Sequence, residues 1–243
     1  MVGFHRYIAF ACALCFCALH AQDEKRVSFE FRVFGIGKDS YEGLYYFNGT
    51  DFNALQFHRT HRSPEKYSFN GTLPLGIFVR NPKFDLNDPE SPEFIRVASS
   101  DPPQAREQLI VFAANANNRE VADANRSFTL FHINDSLEDF GRNSIVLLNT
   151  TGADLFGRVD GQYLSLPTGA SNPIPYKSTS SKSATRIAFA LATRDGTRLV
   201  MSNDLAISDN RRVLIILEPP RRQNSYRVAV RVLSESVFLA EEE

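Results

Sequence analysis

The chain contains no tryptophan, and its 3 cysteines, Cys12, Cys15 and Cys17, all lie close to the N-terminus. If that N-terminus is removed on export, the remaining protein has no thiol. Disulfide frameworks, thiolate metal sites and cysteine nucleophiles are then excluded. A strong charge of one sign is also missing: the 243 residues carry a formal net charge of −1, which excludes a strongly basic nucleic-acid binder. We therefore expect no nucleic-acid partner.

Residues 1–21 have the pattern of a secretory signal peptide. His5 and Arg6 form a short polar start, and the apolar segment Tyr7–Leu19 follows them. That segment is shorter than the ~20 apolar residues that a membrane-spanning helix needs. We therefore predict cleavage before Gln22, no stable membrane span afterwards, and a periplasmic or secreted protein. An uncleaved N-terminal anchor is the alternative.

Long stretches of helical period are missing, and alternation of apolar and polar residues dominates. The stretch Val27–Val33 alternates strictly, as a half-buried strand does. Further strand-like stretches are Leu44–Phe47, Leu75–Val79, Phe94–Ala98, Leu109–Ala113, Phe128–Ile133, Ile145–Leu148, Leu155–Val159, Tyr163–Leu166, Arg186–Ala192, Arg198–Met201, Val213–Leu217 and Tyr226–Leu233. Asn-Gly and Asp-Gly pairs, at residues 48–49, 70–71, 160–161 and 195–196, favour hairpin turns between them. This pattern predicts an all-β fold made of β-sandwiches.

The two halves of the chain have similar patterns. One and the same offset superposes Gly49 on Gly161 and the strand Leu75–Val79 on Ile187–Leu191. The last strand of each half ends in a similar polar sequence, at residues 134–136 and 234–236. We predict two tandem β-sandwich domains, residues 22–138 and 139–243, after the signal peptide. The alternative is that two unrelated all-β halves fall into register by chance.

One candidate interaction surface is basic. His58, Arg59, His61 and Arg62 follow one another closely and could face an anionic partner. Two histidines three residues apart lie on one face of a helix, as metal ligands do. Here the neighbouring residues predict strand or loop, and the two arginines repel a cation. We therefore predict no metal site, and a solvated hairpin tip is the simplest alternative.

A second candidate surface is acidic. The segment 81–106 is rich in proline and carries Asp85, Asp88 and Glu90. Loops of this length are often functional. The spacing begins like a calcium-binding loop, but Glu90 and Arg96 stand where that loop needs glycine and glutamate. A weaker oxygen-ligand calcium site, or a plain surface crossover, remains open.

Catalytic motifs are missing. The chain has no Gly-x-Ser-x-Gly sequence, and the segment from Gly35 lacks the spacing of a phosphate-binding loop. We predict no catalytic residue and no cofactor. The alternating aromatics Phe29, Phe31, Tyr45 and Phe47 could form a carbohydrate-stacking face, but we interpret them as inward-facing core residues.

Two resemblances concern the architecture. The sequences at residues 149–152, 159–161 and 166–169 resemble a layout found in secreted bacterial Ig-like domains of unassigned function. The stretch Pro103–Leu109 is similar to the Pro-x-x-Arg-Glu-x-Leu stretch of periplasmic pilus-assembly chaperones, which have two Ig-like domains. These resemblances imply Ig-like sandwiches and no particular site residues.

The expected function is non-enzymatic. We expect an exported binding or scaffolding protein of the bacterial cell envelope, with a protein or another envelope component as partner. A pilus-type assembly chaperone is one alternative. The other is a secreted hydrolase on a β scaffold, with His58, His61 or the 81–106 segment in a cleft.

Overall fold

The computed structural model describes residues 26–37, 41–115, 127–176, 184–222 and 224–237. These residues form strands and turns, which confirms the predicted all-β class. No helix in these ranges is long and apolar enough to cross a membrane. The predicted signal peptide lies outside the described residues.

The strands follow the predicted alternation closely. Those of the first half are β1 (Arg26–Ile36), β2 (Leu44–Phe47), β3 (Phe52–Ala54), β4 (Tyr67–Thr72), β5 (Leu75–Arg80), β6 (Phe94–Ser100), β7 (Glu107–Ala114) and β8 (Phe128–Asn134). Those of the second half are β9 (Ser144–Asn149), β10 (Leu155–Val159), β11 (Gln162–Leu166), β12 (Gly169–Ala170), β13 (Ile174–Pro175), β14 (Thr185–Thr193), β15 (Gly196–Leu205), β16 (Arg211–Glu218) and β17 (Ala229–Ser236). The alternation does not predict β3, β4, β12 and β13, of which three have at most three residues.

The strands form four sheets, and each half contributes two. Sheet A has the order β4-β1-β7-β8 and sheet B the order β3-β2-β5-β6. Sheet C has the order β12-β9-β16-β17, with β13 also on β9, and sheet D the order β11-β10-β14-β15. Sheets A and C therefore share one strand order along the chain, and sheets B and D share another. The pairs β1–β7 and β9–β16 are both parallel, while their neighbours are antiparallel.

A β-bulge also recurs at corresponding places. The β5–β6 register shifts between Ile77 and Phe78, and the β14–β15 register shifts between Phe189 and Ala190. The offset that superposes the two halves in sequence brings these positions together. The local irregularity, like the strand order, is common to the two halves.

Three apolar cores hold the sheets together. Core 1 lies between sheets A and B, with Phe31 and Ile77 among its members. Core 2 lies between sheets C and D, with Ile145 and Phe189 among its members. Core 3 contains Phe34 of sheet A and Leu214 of sheet C and joins these two sheets. The sheets therefore stack in the order B, A, C, D, as two sandwich-like pairs with a further buried layer between them.

This stacking explains which strands are apolar throughout. Strands β7, β9 and β16 are central in sheets A and C, which are covered on both faces. Residues 144–149 are all buried, as are residues 212–218. A strand buried on both faces gives a continuous apolar run rather than an alternation. The runs at Leu109–Phe112 and Val213–Leu217 are of this kind.

The turn predicted at Asn70-Gly71 is wrong. Both residues lie within β4 and pair with β1. Glycine is needed here because the backbone at Gly49 lies close to the backbone of β4. A Cβ on Gly49 would lie 2.1 Å from the carbonyl oxygen of Asn70. Gly49 itself has φ +101°, as the predicted Asn48-Gly49 turn requires.

Candidate functional site

The basic segment lies in the long connection between β3 and β4, residues 55–66. This connection runs along the edge of β1: the Ser63 N–H donates to the Val33 carbonyl at 2.8 Å, and the Val33 N–H donates to Ser63 Oγ at 3.1 Å. It also reaches the second half, because Arg231 donates to the Arg59 carbonyl at 3.5 Å. The segment is therefore anchored between the two halves rather than forming a separate hairpin tip.

His58 and His61 are both exposed and stack on each other. Their ring centroids are 3.9 Å apart and the rings are nearly parallel, at 17°. Thr60 contacts both imidazole rings. Its backbone N–H lies 3.3 Å from His58 Nδ1, and its hydroxyl lies 2.8 Å from His61 Nδ1. Parallel stacked rings do not direct their remaining nitrogens at a common point. In the described ranges no cluster of three or more metal-ligating side chains is found.

Arg62 points inward, into an ion cluster that joins the two halves. Its guanidinium lies 3.1 Å from Asp135 and also contacts Glu235. Arg212 of β16 lies 3.5 Å from Asp135 and 2.7 Å from Glu235. Its Nη1 also donates to the Asp135 carbonyl at 2.8 Å. The side chains of Arg62, Asp135 and Arg212 are at most 9% exposed, so Arg62 is engaged within the molecule.

Burial and charge compete in this junction cluster (Arg32, Arg62, Asp135, Arg212 and Glu235). Burial raises the pKa of Asp135, although the two guanidiniums oppose the shift. Burial also lowers the pKa of Arg62. At the more exposed Glu235, burial acts to raise the pKa, but the combined attraction of the arginines lowers it. An ion pair buried this deeply is costly to break from one side, so the cluster acts as a structural clamp.

A cavity of about 490 Å³ opens beside the junction cluster. Asp135 lines it, and one of its carboxylate oxygens makes no hydrogen bond of good geometry despite the nearby arginines. The cavity is lined by residues of both charges: Arg32, Lys66 and Arg212, and Glu30, Glu107, Asp135 and Glu235. Because positive and negative side chains both line this cavity, its charge does not favour either an anionic or a cationic ligand.

The acidic residues lie apart from the basic segment, in the loop from β5 to β6. Asp85, Asp88 and Glu90 are all exposed. Asp85 accepts hydrogen bonds from Asn87 at 2.9 and 3.1 Å, and Asp88 accepts one from the Glu90 N–H at 2.9 Å. The two aspartates thus stabilise turns within their own loop. That this loop contacts a partner stays a prediction, and a weak calcium site there stays the alternative.

A third surface, the aromatic face, covers the solvent side of sheet B. It consists of Tyr45, Phe47, Phe52, Phe78 and Phe94. Phe52 stacks on Phe94 at 4.0 Å between centroids and meets Phe78 edge-on at 5.0 Å. Phe47 lies 5.1 Å from Phe52, and Tyr45 lies 5.2 Å from Phe94.

Our interpretation of these aromatics as core residues is confirmed for one pair and wrong for the other. Phe29 and Phe31 are buried in core 1. Tyr45 and Phe47 point outward, because Leu44 and Tyr46 take the inward positions of β2. Since all these residues are apolar, alternation alone does not identify the inward face.

Two arginines flank the aromatic face. The Arg80 guanidinium lies 5.9 Å from the ring centres of both Tyr45 and Phe94, and 4.0 Å from Glu93. Arg96 pairs with Phe78 across the strands and so lies on the same face. Arg96 has no ion pair among the described residues. The face thus combines apolar rings with an uncompensated positive charge.

A fourth feature is a slot of about 660 Å³ at the far end of sheet A. One wall is the start of β1, residues 26–29, and the other is the loop of residues 102–106. Its lining includes Val27, Leu73 and Pro103, with Arg26 and Arg106 at its rim. The sequence did not predict the slot, and it suggested an exposed aromatic face through Tyr45 and Phe47 only as the rejected alternative to a core position. The only earlier signal for the slot is that Pro103 and Arg106 belong to the chaperone-like stretch.

No known family model matches this chain, and no curated protein matches it either.

Proposed function

We propose that the chain is a non-enzymatic, exported binding or scaffolding protein of the bacterial cell envelope. In this proposal it is periplasmic or secreted, and residues 22–138 and 139–243 are two Ig-like domains. The observation that carries the proposal is the aromatic face of sheet B. Phe47 and Phe52 are 37% and 39% exposed, and they continue into a patch of five aromatic side chains. Contiguous exposed apolar patches of this kind mark interaction sites.

The ring geometry favours a protein partner over a sugar. Carbohydrate stacking needs a free ring face, and because Phe52 and Phe94 stack on each other at 4.0 Å, each of them keeps only its outer face for a sugar. Ring edges and aliphatic side chains pack well in protein interfaces, where aromatic residues and arginine are enriched. Arg96 has no ion pair among the described residues, so a carboxylate of the partner could form one with it. We propose a partner surface that presents aliphatic groups next to an acidic residue.

The test compares two pairs of exposed aromatics. Purified chain carrying Phe47→Ser and Phe52→Ser is compared with chain carrying Phe156→Ser and Tyr163→Ser, on the solvent side of sheet D. Proteins captured from envelope extracts by the unmodified chain are identified and then re-tested in purified form. We expect the sheet B variant to lose such a partner at least tenfold in affinity, the loss of a hot spot, while the sheet D variant keeps it. Equal binding by both variants contradicts the proposal.

The chaperone is the second candidate, favoured by the position of the slot. Pro103 and Arg106, from the chaperone-like stretch, line it together with an edge of β1. Edge strands bind extended peptides by strand addition. If this candidate holds, Arg106→Glu abolishes co-purification of a fibre subunit, whereas Phe52→Ser does not. The opposite result favours the aromatic face.

A further inference from the structure

Strand β17 is the outermost strand of sheet C, and one of its edges is unpaired. On one side it pairs with β16 along its whole length, from Ala229 to Ser236. On the other side it pairs with no strand in the described ranges, because β17 is the last strand in the order of sheet C. An unpaired edge of this kind presents free N–H and C=O groups and can accept a further strand.

The register with β16 identifies the free backbone groups. The Val237 N–H donates to the Asn210 carbonyl at 2.7 Å, so Val237 directs its N–H towards β16. In an antiparallel pair, residues bonded to the neighbouring strand alternate with residues that direct both N–H and C=O away from it. Val232 and Ser234 therefore direct theirs to the unpaired side. In the part of the chain that the structure describes, these backbone groups have no hydrogen-bond partner.

The connection between β3 and β4 covers this edge from the side of sheet A. Strand β1 packs over β17, since the Arg231 guanidinium lies 5.6 Å from the ring centre of Phe34. Residues 60–64 run along the outer edge of β1 and therefore project past the edge of β17. A groove of about 510 Å³ lies between residues 60–64 and residues 232–235. The groove thus has free backbone groups along one wall and a preformed cover.

The edge groove (residues 60–64 and 232–235, with Arg32) carries an excess of positive charge. Its lining contains Arg32 and Arg62 against the carboxylate of Glu235, and the exposed His61 lies beside them. Arg32 reaches Glu235 only at 3.7 Å, and its Nε is buried without a hydrogen-bond partner. A carboxylate placed beside Arg32 would accept a hydrogen bond from this Nε and balance the charge.

We propose that the edge groove binds an extended acidic segment of a partner protein as an additional strand on β17. The backbone of the segment pairs with Val232 and Ser234, and one of its carboxylates reaches Arg32. An apolar side chain of the segment packs on Val232, which is 43% exposed. In strand addition of this kind, main-chain hydrogen bonds provide the affinity, and alternate side chains provide the specificity.

The cover over the edge groove favours a single segment over a second copy of this chain. If two copies paired through their β17 strands, the second copy would bring its own β1 with it, because β1 packs over β17. That β1 would have to lie where residues 60–64 of the first copy already cover the groove. An extended segment carries no such layer and meets no such obstacle.

This proposal goes beyond the proposed function. The edge groove and the aromatic face lie on different sheets, so the partner at one need not be the partner at the other. Binding is measured with a designed peptide and the protein alone. Failure to find an envelope partner at sheet B therefore leaves the proposal standing.

The probe is a short, fluorescently labelled peptide of alternating valine and glutamate, and its binding to the full chain is followed by fluorescence anisotropy. The matched control peptide has lysine in place of glutamate. We expect the glutamate peptide to bind about tenfold more tightly, because the groove is basic. Hydrogen exchange in the unmodified chain then locates the added strand. The glutamate peptide should slow exchange of the Val232 and Ser234 amides about tenfold, and the amides of β11, an outer strand of sheet D, should exchange as before.

Two pairs of variants test the backbone and the charge separately. Val232→Pro removes the N–H that faces the groove but no hydrogen bond to β16, as an edge strand tolerates. Val232→Thr keeps this N–H and the branched shape. We expect Val232→Pro to weaken the glutamate peptide about tenfold and Val232→Thr to bind it as the unmodified chain does. Arg32→Met should weaken it by a similar factor, whereas Arg26→Met, the same exchange at the start of the same strand, should not.

Equal affinity for the two peptides overturns the proposal, as does unchanged exchange at Val232 and Ser234 with the peptide bound. Equal binding by Val232→Pro and Val232→Thr overturns it as well. If circular dichroism shows that Val232→Pro does not fold, the exchange measurement on the unmodified chain decides. Protection of Val232 that rises with protein concentration in the absence of peptide also contradicts the proposal, because a second copy then occupies the edge.

Discussion

The two halves of this protein build the same strand order from different side chains. Core 1 is rich in aromatic residues: Phe29, Phe31, Tyr41, Tyr46, Tyr67, Phe69, Phe112 and Phe128. In core 2 only Tyr176 and Phe189 are aromatic among the buried members. The rings of core 1 contact one another, as Phe31 and Tyr46 do edge-on at 5.0 Å. The shared topology therefore depends on the apolar pattern and the turns, while the identity of the core residues can vary.

One pair of residues on neighbouring strands shows that the two halves place their large core side chain on different strands. In sheet B, Tyr46 of β2 lies opposite Ile77 of β5. In sheet D, Gly157 of β10 lies opposite Phe189 of β14. The larger residue of the pair lies on β2 in the first half, but on β14, the strand that corresponds to β5, in the second half. Each half can keep the close packing of a protein interior because the larger residue of the pair faces a smaller one, isoleucine in the first half and glycine in the second.

The layer between the halves differs from both, because it combines an apolar core with a buried ion cluster. Arg212→Met removes a guanidinium that contacts both Asp135 and Glu235. We expect a loss of about 3–5 kcal/mol in the free energy of unfolding, as for other buried ion pairs broken from one side. Urea unfolding followed by tyrosine fluorescence and circular dichroism measures this loss. We also expect two separate transitions if the halves are independent domains.

The matched control for that prediction is Arg186→Met. Arg186 pairs with Asp204 at 3.0 Å on the surface of sheet D, with both side chains more than half exposed. Exposed pairs contribute little to stability because water screens both charges, so we expect a much smaller loss than for Arg212→Met. If both substitutions cost the same, the junction cluster is not a clamp.

Gly157→Ala tests whether Phe189 needs a glycine opposite it. The added Cβ would lie 2.0 Å from the Ala188 carbonyl oxygen and 2.7 Å from the Phe189 ring. We expect a loss of about 3 kcal/mol, at the upper end of the cost of overpacking. Gly161→Ala is the control: nothing lies within 4 Å of its Cβ, and only its φ of +87° opposes the change. A thermal unfolding midpoint no lower for Gly157→Ala than for Gly161→Ala would contradict our account of this pair.

Only the first half has a partly buried histidine, His132, and the second half has no histidine at all, so acid should weaken the first half more. His132 of β8 is held between Gln108 Oε1 and Ser100 Oγ, both at 2.9 Å. Burial lowers the pKa of His132 from its usual 6.5 to about 4, against the opposing effect of Asp101. The unfolded chain therefore binds more protons than the folded chain between these values. The free energy of unfolding is intact above pH 6.5 and falls as the pH drops towards 4.

The size of the acid effect follows from this shift. We expect His132 to account for a loss of about 3 kcal/mol between neutral pH and pH below 4. In His132→Gln this part of the pH dependence should disappear, whatever the stability of the variant at neutral pH. The exposed His58→Gln should keep it. An unchanged pH profile in His132→Gln would show that His132 is not the group responsible.

The sequence predicts the strands well because their alternation is local. It does not predict the partners of Arg62, because Glu235 lies 173 residues further along the chain. The one available signal is that both final strands end beside an acidic residue, Asp135 and Glu235. Local patterns also fail for Tyr45 and Phe47, since both faces of β2 are apolar. Which face is covered is decided by the stacking of the sheets, which no single strand encodes.

The smallest expected difference concerns the two outermost faces. In sheet B, Phe52 lies opposite Phe47; at the corresponding place in sheet D, Tyr163 lies opposite Arg158. Phe52 stacks on Phe94, whereas Tyr163 is 79% exposed. We expect Phe52→Ser to cost about 1 kcal/mol, the contribution of an aromatic pair, and Tyr163→Ser to cost less than about 0.5 kcal/mol. Chemical denaturation of the two variants side by side measures this difference. A cost at Phe52 as small as that at Tyr163 would mean that the rings of the aromatic face add nothing to folding and are retained for binding alone.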